Sequence, residues 1–122
     1  MPKNAEVFIV EDDHGLSDTI VLVLEGGGHR IGGRAFTRDE AIKAAANLPK
    51  GVTVATVDGN LDDLKDISGD DGRAVVQEFR TRAPTVKIIG LSGTGTVEGA
   101  DVNLKKSPEV LLYQLATTVD QL

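Results

Sequence analysis

The stretch Val7-Phe8-Ile9-Val10-Glu11-Asp12-Asp13 decides the fold. Its consecutive apolar residues suit a strand buried on both faces, as in a parallel sheet with helices above and below. The run then stops at consecutive acids. A doubly covered strand with carboxylates at its C-terminal end presents them where open α/β sheets bind ligands. A second apolar run, Val52 to Val57, also ends in an acid, Asp58. Two neighbouring parallel strands with acidic tips crowd like charges together. Each such pair at ~4 Å repels by about 4 kcal/mol at an effective dielectric near 20. Crowding of this kind is tolerated where a cation sits or a carboxylate keeps its proton. The pattern reads as a divalent-metal site.

Working outward, the remaining chain supplies the other units of such a sheet. Leu16, Ile20, Val23 and Leu24 have helical spacing, and Gly26-Gly27-Gly28 stops that helix. Arg30 to Phe36 is a weaker strand, interrupted by Gly32-Gly33. Thr37 and Glu40 form a capping box for a helix running to about Leu48. Pro49-Lys50-Gly51 is a turn, and Val52 to Val57 is the third strand. The aspartate-rich segment from Asp58 to Asp71 is a long loop, followed by a helix from Gly72 to Arg82 with Val75, Val76 and Phe79 inward. Val86 to Leu91 is the fourth strand, Ser92 to Gly99 a Gly/Thr-rich loop, and Val102 to Leu104 a short fifth strand. Ser107 suits an N-cap with Pro108 at the first helical position, and Val110, Leu111, Leu115, Val119 and Leu122 form the buried stripe of the last helix. Alternating β and α units imply an α/β, doubly wound, five-stranded parallel sheet with right-handed crossovers, in which the helix between strands 4 and 5 is missing or vestigial. Residues 1–122 read as a single domain.

Composition narrows the function. The chain of 122 residues is 40% apolar, which suits one folded core. No apolar run approaches the ~20 residues of a membrane helix, and no secretory signal is visible in Met1-Pro2-Lys3-Asn4, so a cytoplasmic location is expected. The absence of cysteine removes disulfides, zinc-thiolate sites and thiol catalysis. A net charge of −6 argues against direct binding to nucleic acid.

Four features converge on one end of the predicted sheet. Acids follow the first strand, Asp58 the third, Ser92 the fourth and Lys105 the fifth. Carboxylates, a hydroxyl and a lysine together suit phosphoryl transfer. The carboxylates hold Mg²⁺, the metal and the ammonium neutralise the transferring group, and Asp58 can act as nucleophile.

With these residues in order, the chain resembles the receiver domain of two-component response regulators. The resemblance rests on Ile9-Val10-Glu11-Asp12-Asp13, Val57-Asp58-Gly59-Asn60-Leu61, Gly90-Leu91-Ser92-Gly93, Glu98-Gly99-Ala100-Asp101 and Lys105, and runs over nearly the whole chain. It implies that Asp58 accepts a phosphoryl group from a histidine kinase or phosphotransfer protein. It also implies that Glu11, Asp12 and Asp58 hold Mg²⁺ together with the backbone carbonyl of Asn60. Ser92 would bond the phosphoryl oxygens, and Lys105 would pair with Asp58 and then with the phosphoryl group. Lys105 is preferred to Lys106 because it directly follows the strand. Such a domain catalyses only its own phosphorylation and dephosphorylation, and turns over no external metabolite.

The departures from the family are informative. The interval from Ser92 to Lys105 is shorter than usual by roughly a helix, and Gly93-Thr94-Gly95-Thr96-Val97 is too short and Gly-rich to replace it. Val102 occupies the position of the family's switch aromatic, three residues before the lysine. Lys106 stands where a proline usually follows the lysine, and the loop after Asp58 carries extra residues around Asp62 to Ser68. A missing helix bares part of one sheet face, to be covered by a downstream protein, a homodimer or the long loop. The alternative function is a pseudo-receiver that binds protein without phosphorylation. A hydrolase of the haloacid dehalogenase type needs Asp-x-Asp after the first strand, which Glu11-Asp12-Asp13 does not supply. His14 and His29 lack partners at metal-ligand spacing, and Asp13 is expected to be structural.

Overall fold

A computed structural model describes residues 4–59, 70–93 and 96–122. The elements are β1 (Glu6–Val10), α1 (His14–Gly26), β2 (Arg30–Ala35), α2 (Arg38–Ala45), β3 (Val52–Asp58), α3 (Asp70–Arg82), β4 (Lys87–Ser92), β5 (Val102–Lys105) and α4 (Pro108–Asp120). The five strands form one parallel sheet in the order β2-β1-β3-β4-β5. The order reverses at β1 and β3, so the crevice at the topological switch point opens between the ends of the two acid-tipped strands.

Alternation along each strand splits the interior into two layers. Phe8, Val10, Ala55, Val57 and Ile88 pack with Val75, Val76 and Phe79 of α3 and with Ala41 and Ala45 of α2. Val7, Ile9, Val54, Ile89 and Leu91 pack with Ile20 and Leu24 of α1 and with Leu111, Leu115 and Val119 of α4. This is why β1 is apolar at successive positions. The glycines of β2 serve the same packing: a Cβ on Gly33 would lie 2.8 Å from the Phe8 ring. Strand β2 runs through Gly32-Gly33, but its pairing with β1 is irregular there: the register shifts so that Val7 pairs with Ile31 and Phe8 with Gly33.

The helix starts follow their caps. Asp13 accepts the Leu16 N–H at 3.0 Å, so α1 begins at His14 and Asp13 is structural, as its sequence position suggested. Thr37 accepts the Glu40 N–H at 3.1 Å, while the Glu40 carboxylate reaches back to the Phe36 N–H at 2.7 Å, one residue before the cap. Ser107 caps α4 with Pro108 in the first turn. Helix α2 ends at Ala45, short of the expected Leu48.

The layer opposite α1 and α4 has no helix between β4 and β5 among the described residues. The chain's own segment 96–101 covers part of that face instead. Val97 is 2% exposed and joins the α3-side core. The loop around Asp62 to Ser68, expected as an alternative cover, lies outside the described residues.

His29 ties the far end of the molecule together. The Ala5 N–H donates to its Nδ1 at 3.0 Å, which leaves Nε2 as the protonated nitrogen facing the Asp120 carboxylate at 2.9 Å and the Ala116 carbonyl at 3.2 Å. One ring thereby joins the residue before β1, the α1–β2 turn and α4. His29→Ala should destabilise the protein by at least about 1–3 kcal/mol, because buried polar groups lose their partners. Urea denaturation at neutral pH measures this.

Candidate metal and phosphoryl-transfer site

Each strand of the crevice delivers a residue at or just beyond its C-terminal end. Glu11 and Asp12 follow β1, Asp58 closes β3 and Ser92 closes β4. Glu11, Asp58 and Ser92 are buried and Asp12 is half-buried. One carboxylate oxygen from each of Glu11, Asp12 and Asp58 lies within 4.8 Å of the others. The strand register makes this possible: Val10 pairs with Val57, so the residues that follow are neighbours. The expected acids therefore meet.

The expected lysine does not join them. Lys105 is exposed, and Lys106 holds the ammonium of the site. Its Nζ lies 3.0 Å from Glu11 Oε1, 3.0 Å from Glu11 Oε2 and 3.0 Å from Asp58 Oδ2. The reason is where the strand stops. Val102 and Leu104 share the parity of Ile89 and Leu91, whose side chains face α1 and α4, so Asn103 and Lys105 alternate to the opposite face. Lys106 is the first residue beyond the pleat. Its backbone N–H still bonds the Ser92 carbonyl at 2.9 Å, but the chain then turns into α4. A side chain at that point is free to reach over the sheet's edge, as those of Glu11 and Asp12 do after β1. Lys105, expected just beyond a strand ending at Leu104, is instead the last residue of β5, and the residue that directly follows the strand is Lys106. With Lys106 as the lysine, the position three residues before it is Asn103 rather than Val102, and the residue after it is Ser107.

Two close approaches complete the walls. The Gly72 N–H donates to the Gly59 carbonyl at 3.1 Å, and a Cβ on Gly72 would lie 2.8 Å from the Asp58 carbonyl oxygen. Glycine is required for α3 to begin this near the acidic tip of β3. A Cβ on Gly59 would lie 3.6 Å from Ser92 Oγ, which places that hydroxyl beside the residue following Asp58. Nothing in the sequence pattern marked Gly72 as part of the site. Asn60 lies outside the described residues.

The electrostatics are those of confined like charges. Burial, then the facing Asp58 charge, push the Glu11 carboxyl up to about 9, against the pull of Lys106. Burial also raises Asp58, although Lys106 and the bond to Glu11 oppose it. Burial acts upward on Asp12 too, but hydrogen bonds with Asp58 and Glu11 and the Lys106 charge outweigh it and hold that carboxyl below its ordinary value. Lys106 is held above the usual range because Asp58 and Glu11 overcome its burial. The Asp13 N–H adds a bond to Glu11 Oε2 at 3.2 Å.

Hard carboxylate oxygens close enough to share one ion suit Mg²⁺ or Ca²⁺, and no thiol or imidazole competes among them. The donor set fits the group expected there. The same place offers a carboxylate nucleophile, a hydroxyl and an ammonium along one edge.

No protein-family model and no curated protein sequence matches the chain. Solved structures do. The response regulator TrrA from Thermotoga maritima, solved in complex with Mg²⁺-BeF, superposes with a TM-score of 0.77 at 21% identity, over 96% of this chain and 97% of its own. The chain has the receiver-domain fold. A CheY-like receiver domain from Methanospirillum hungatei JF-1 gives a TM-score of 0.72 at 22% identity, with 98% and 96% of the two chains covered. CheY6 from R. sphaeroides, solved with the phosphorylated P1 domain of CheA3, gives 0.70 at 17% identity over 97% and 98%. Within this receiver fold the acidic cluster lies at the C-terminal edge of the sheet, where an open α/β sheet places its ligands.

Glu11 sets a pH dependence on the metal-free protein. Its folded-state carboxyl is raised to about 9 from an ordinary 4.5. Between those values the unfolded chain has released a proton that the folded chain keeps. The stability contributed by this group is therefore complete below the lower value and is lost as pH rises through the upper one. Urea midpoints measured in chelator should fall from pH 5 to pH 9, and Glu11→Gln should flatten that slope.

Proposed function

We propose that residues 1–122 form a phosphoacceptor receiver domain of a two-component system, with Asp58 as the acceptor. The observation that carries this reading is the position of Lys106, whose ammonium lies 3.0 Å from Asp58 Oδ2 while Glu11 and Asp12 stand on the other strand of the crevice. An Asp58 oxygen attacks the phosphorus of a phosphohistidine on a kinase or phosphotransfer protein. The new P–O bond forms as the P–N bond breaks, and the leaving imidazole takes a proton. Lys106 follows the charge from the carboxylate onto the phosphoryl oxygens, and the Ser92 hydroxyl donates to another of them. Glu11, Asp12, Asp58 and the Asn60 carbonyl would hold Mg²⁺, which supplies charge neutralisation on the transferring group. Attack by water on the same phosphorus ends the signal. Self-catalysed phosphorylation and dephosphorylation are thus the whole of the chemistry, and they suit a cytoplasmic signalling protein. No described helix is long and apolar enough to cross a membrane. Output passes by contact with a downstream protein or a second copy of the chain at the β4–β5 side of the sheet, where the described residues include no helix between the two strands.

The second reading, a pseudo-receiver that binds protein without phosphorylation, draws on that absent helix and on Asn103 standing at the switch position. Incubation with acetyl phosphate and Mg²⁺ separates the two. The expected product is a base-labile, acid-stable phosphoryl adduct seen by intact mass, and Asp58→Asn should abolish it. Lys106→Ala should slow its formation about 10²-fold or more, the usual size of losing one charge-stabilising donor, whereas Lys105→Ala should leave the rate unchanged. No adduct on the unaltered protein, with no Mg²⁺-dependent gain in stability, supports the pseudo-receiver instead.

A further inference from the structure

Gly59, the residue after Asp58, is held from two sides. Its N–H donates to the Leu91 carbonyl of β4 at 3.1 Å, and its carbonyl accepts the Gly72 N–H of α3 at 3.1 Å. The first turn of α3 therefore lies directly against the tip of β3. Chain connectivity does not impose that position. Residues 60–69 separate Gly59 from the start of α3 at Asp70, and ten residues can span about 35 Å when extended. Another contact has to fix where α3 begins.

Asp71 provides it. This acid stands in the first turn of α3, yet it is only 7% exposed. A carboxylate in a first turn gains from the helix dipole whether exposed or not. Its burial is a separate fact, and a buried charge needs a partner. Arg38, the first residue of α2, donates to Asp71 Oδ1 at 3.3 Å. The two helices already share a core, in which Ala41 and Ala45 join Val75 and Phe79. The ion pair adds a fixed point at the N-terminal ends of both helices, the end that borders the crevice.

That point works against repulsion. One oxygen from each of Glu11, Asp12 and Asp58 lies within 4.8 Å of the others, and like charges so close drive the tips of β1 and β3 apart. Lys106 opposes this by charge. Helix α3 opposes it by contact, through Gly72 and Gly59.

We propose that Arg38 and Asp71 are positioning residues for the acidic crevice. Their ion pair fixes the first turn of α3 on Gly59 and so keeps the Asp58 carboxylate at cation-binding distance from Glu11 and Asp12, a constraint that a short β3–α3 connection would otherwise supply. The inference rests on the cation site of the phosphoacceptor reading. Neither residue is among the cation's donors, and they stand 33 positions apart in the chain.

The test is Mg²⁺ titration of the intact ¹⁵N-labelled chain, read by NMR on the amides of Asp13 and Gly59. Arg38→Ala and Asp71→Ala should each weaken Mg²⁺ binding about tenfold, the lower end of the effect of groups that orient metal ligands. The double variant should bind no more weakly than the worse single one, because the same clamp is lost in all three. Charge alone gives a different pattern: losing Arg38 tightens cation binding, losing Asp71 weakens it, and the double variant returns to the unaltered affinity. That pattern overturns the clamp, as does unchanged affinity in all three variants. Arg38→Lys, which keeps the charge and most of the reach, should retain most of the affinity. Arg82→Ala, which breaks the exposed pair with Glu78 in the last turn of the same helix, should leave it unchanged. An equal loss in Arg82→Ala reports general weakening of α3 and overturns the positioning role. Where Arg38→Ala fails to fold because Asp71 is left buried and unpaired, the double variant decides, since it buries no lone charge: tenfold weaker binding supports the clamp and unaltered binding overturns it. No Mg²⁺ binding by the unaltered protein overturns the phosphoacceptor reading and the clamp with it.

Discussion

The structure depends on the contact between the Lys106 ammonium and the carboxyl groups of Glu11 and Asp58, each 3.0 Å away. Three acids gathered in a partly dry crevice repel one another, and without an opposing charge each pair would oppose the packing of β1 against β3. Lys106 relieves part of this strain, and the proton retained on Glu11 relieves more. What remains is a site with surplus negative charge and a hard-oxygen donor set, which is a description of cation affinity. Stability and chemistry are thus coupled at one point. The features that make the metal-free crevice costly are those that would bind a divalent ion and accept a phosphoryl group.

Topology explains why these groups meet. A parallel sheet sends all its strand ends to one edge, and the order β2-β1-β3-β4-β5 sets the two acid-tipped strands side by side. Ser92 and Lys106 then close the crevice from the next strands outward. Close approach by α3 through Gly72 limits the room around Asp58. Among the described residues the opposite end of the sheet is held by His29, whose ring bonds Ala5, Ala116 and Asp120.

The connection between β4 and β5 shows how the layer architecture tolerates the absence of a helix among its described residues. One buried valine, Val97, the side-chain amide of Asn103 and the Arg80–Asp101 pair secure a short segment over the sheet. Glycine at position 90 is the condition for it, because any side chain there would occupy the space that Val97 and Asn103 share. The face that would otherwise be bare is thereby partly closed by local chain, where the strand ending in Ser92 runs beside the strand that leads to Lys106.

Much of this was legible in the residues themselves. The apolar run from Val7 to Val10 reads as a doubly buried strand. Caps at Thr37 and Ser107 announced two helix starts, and acids ending two runs announced the crevice. These are local signals, in which hydrophobic period and hydrogen-bonding groups act within a few positions of one another. Other features depended on contacts distant in the chain. That Lys106 rather than Lys105 reaches the acids depends on where the pairing of β5 with β4 ends. That Gly72 must lack a side chain depends on the nearness of Asp58. That Val97 is a plug depends on an empty seat at Gly90 and an amide at Asn103. The amino-acid sequence alone determined the order of strands and helices and the kinds of chemical group available. Only the folded chain decided which lysine faces the carboxylates and what covers the sheet, because register, strand termination and the space between packed layers exist only once distant segments lie against each other.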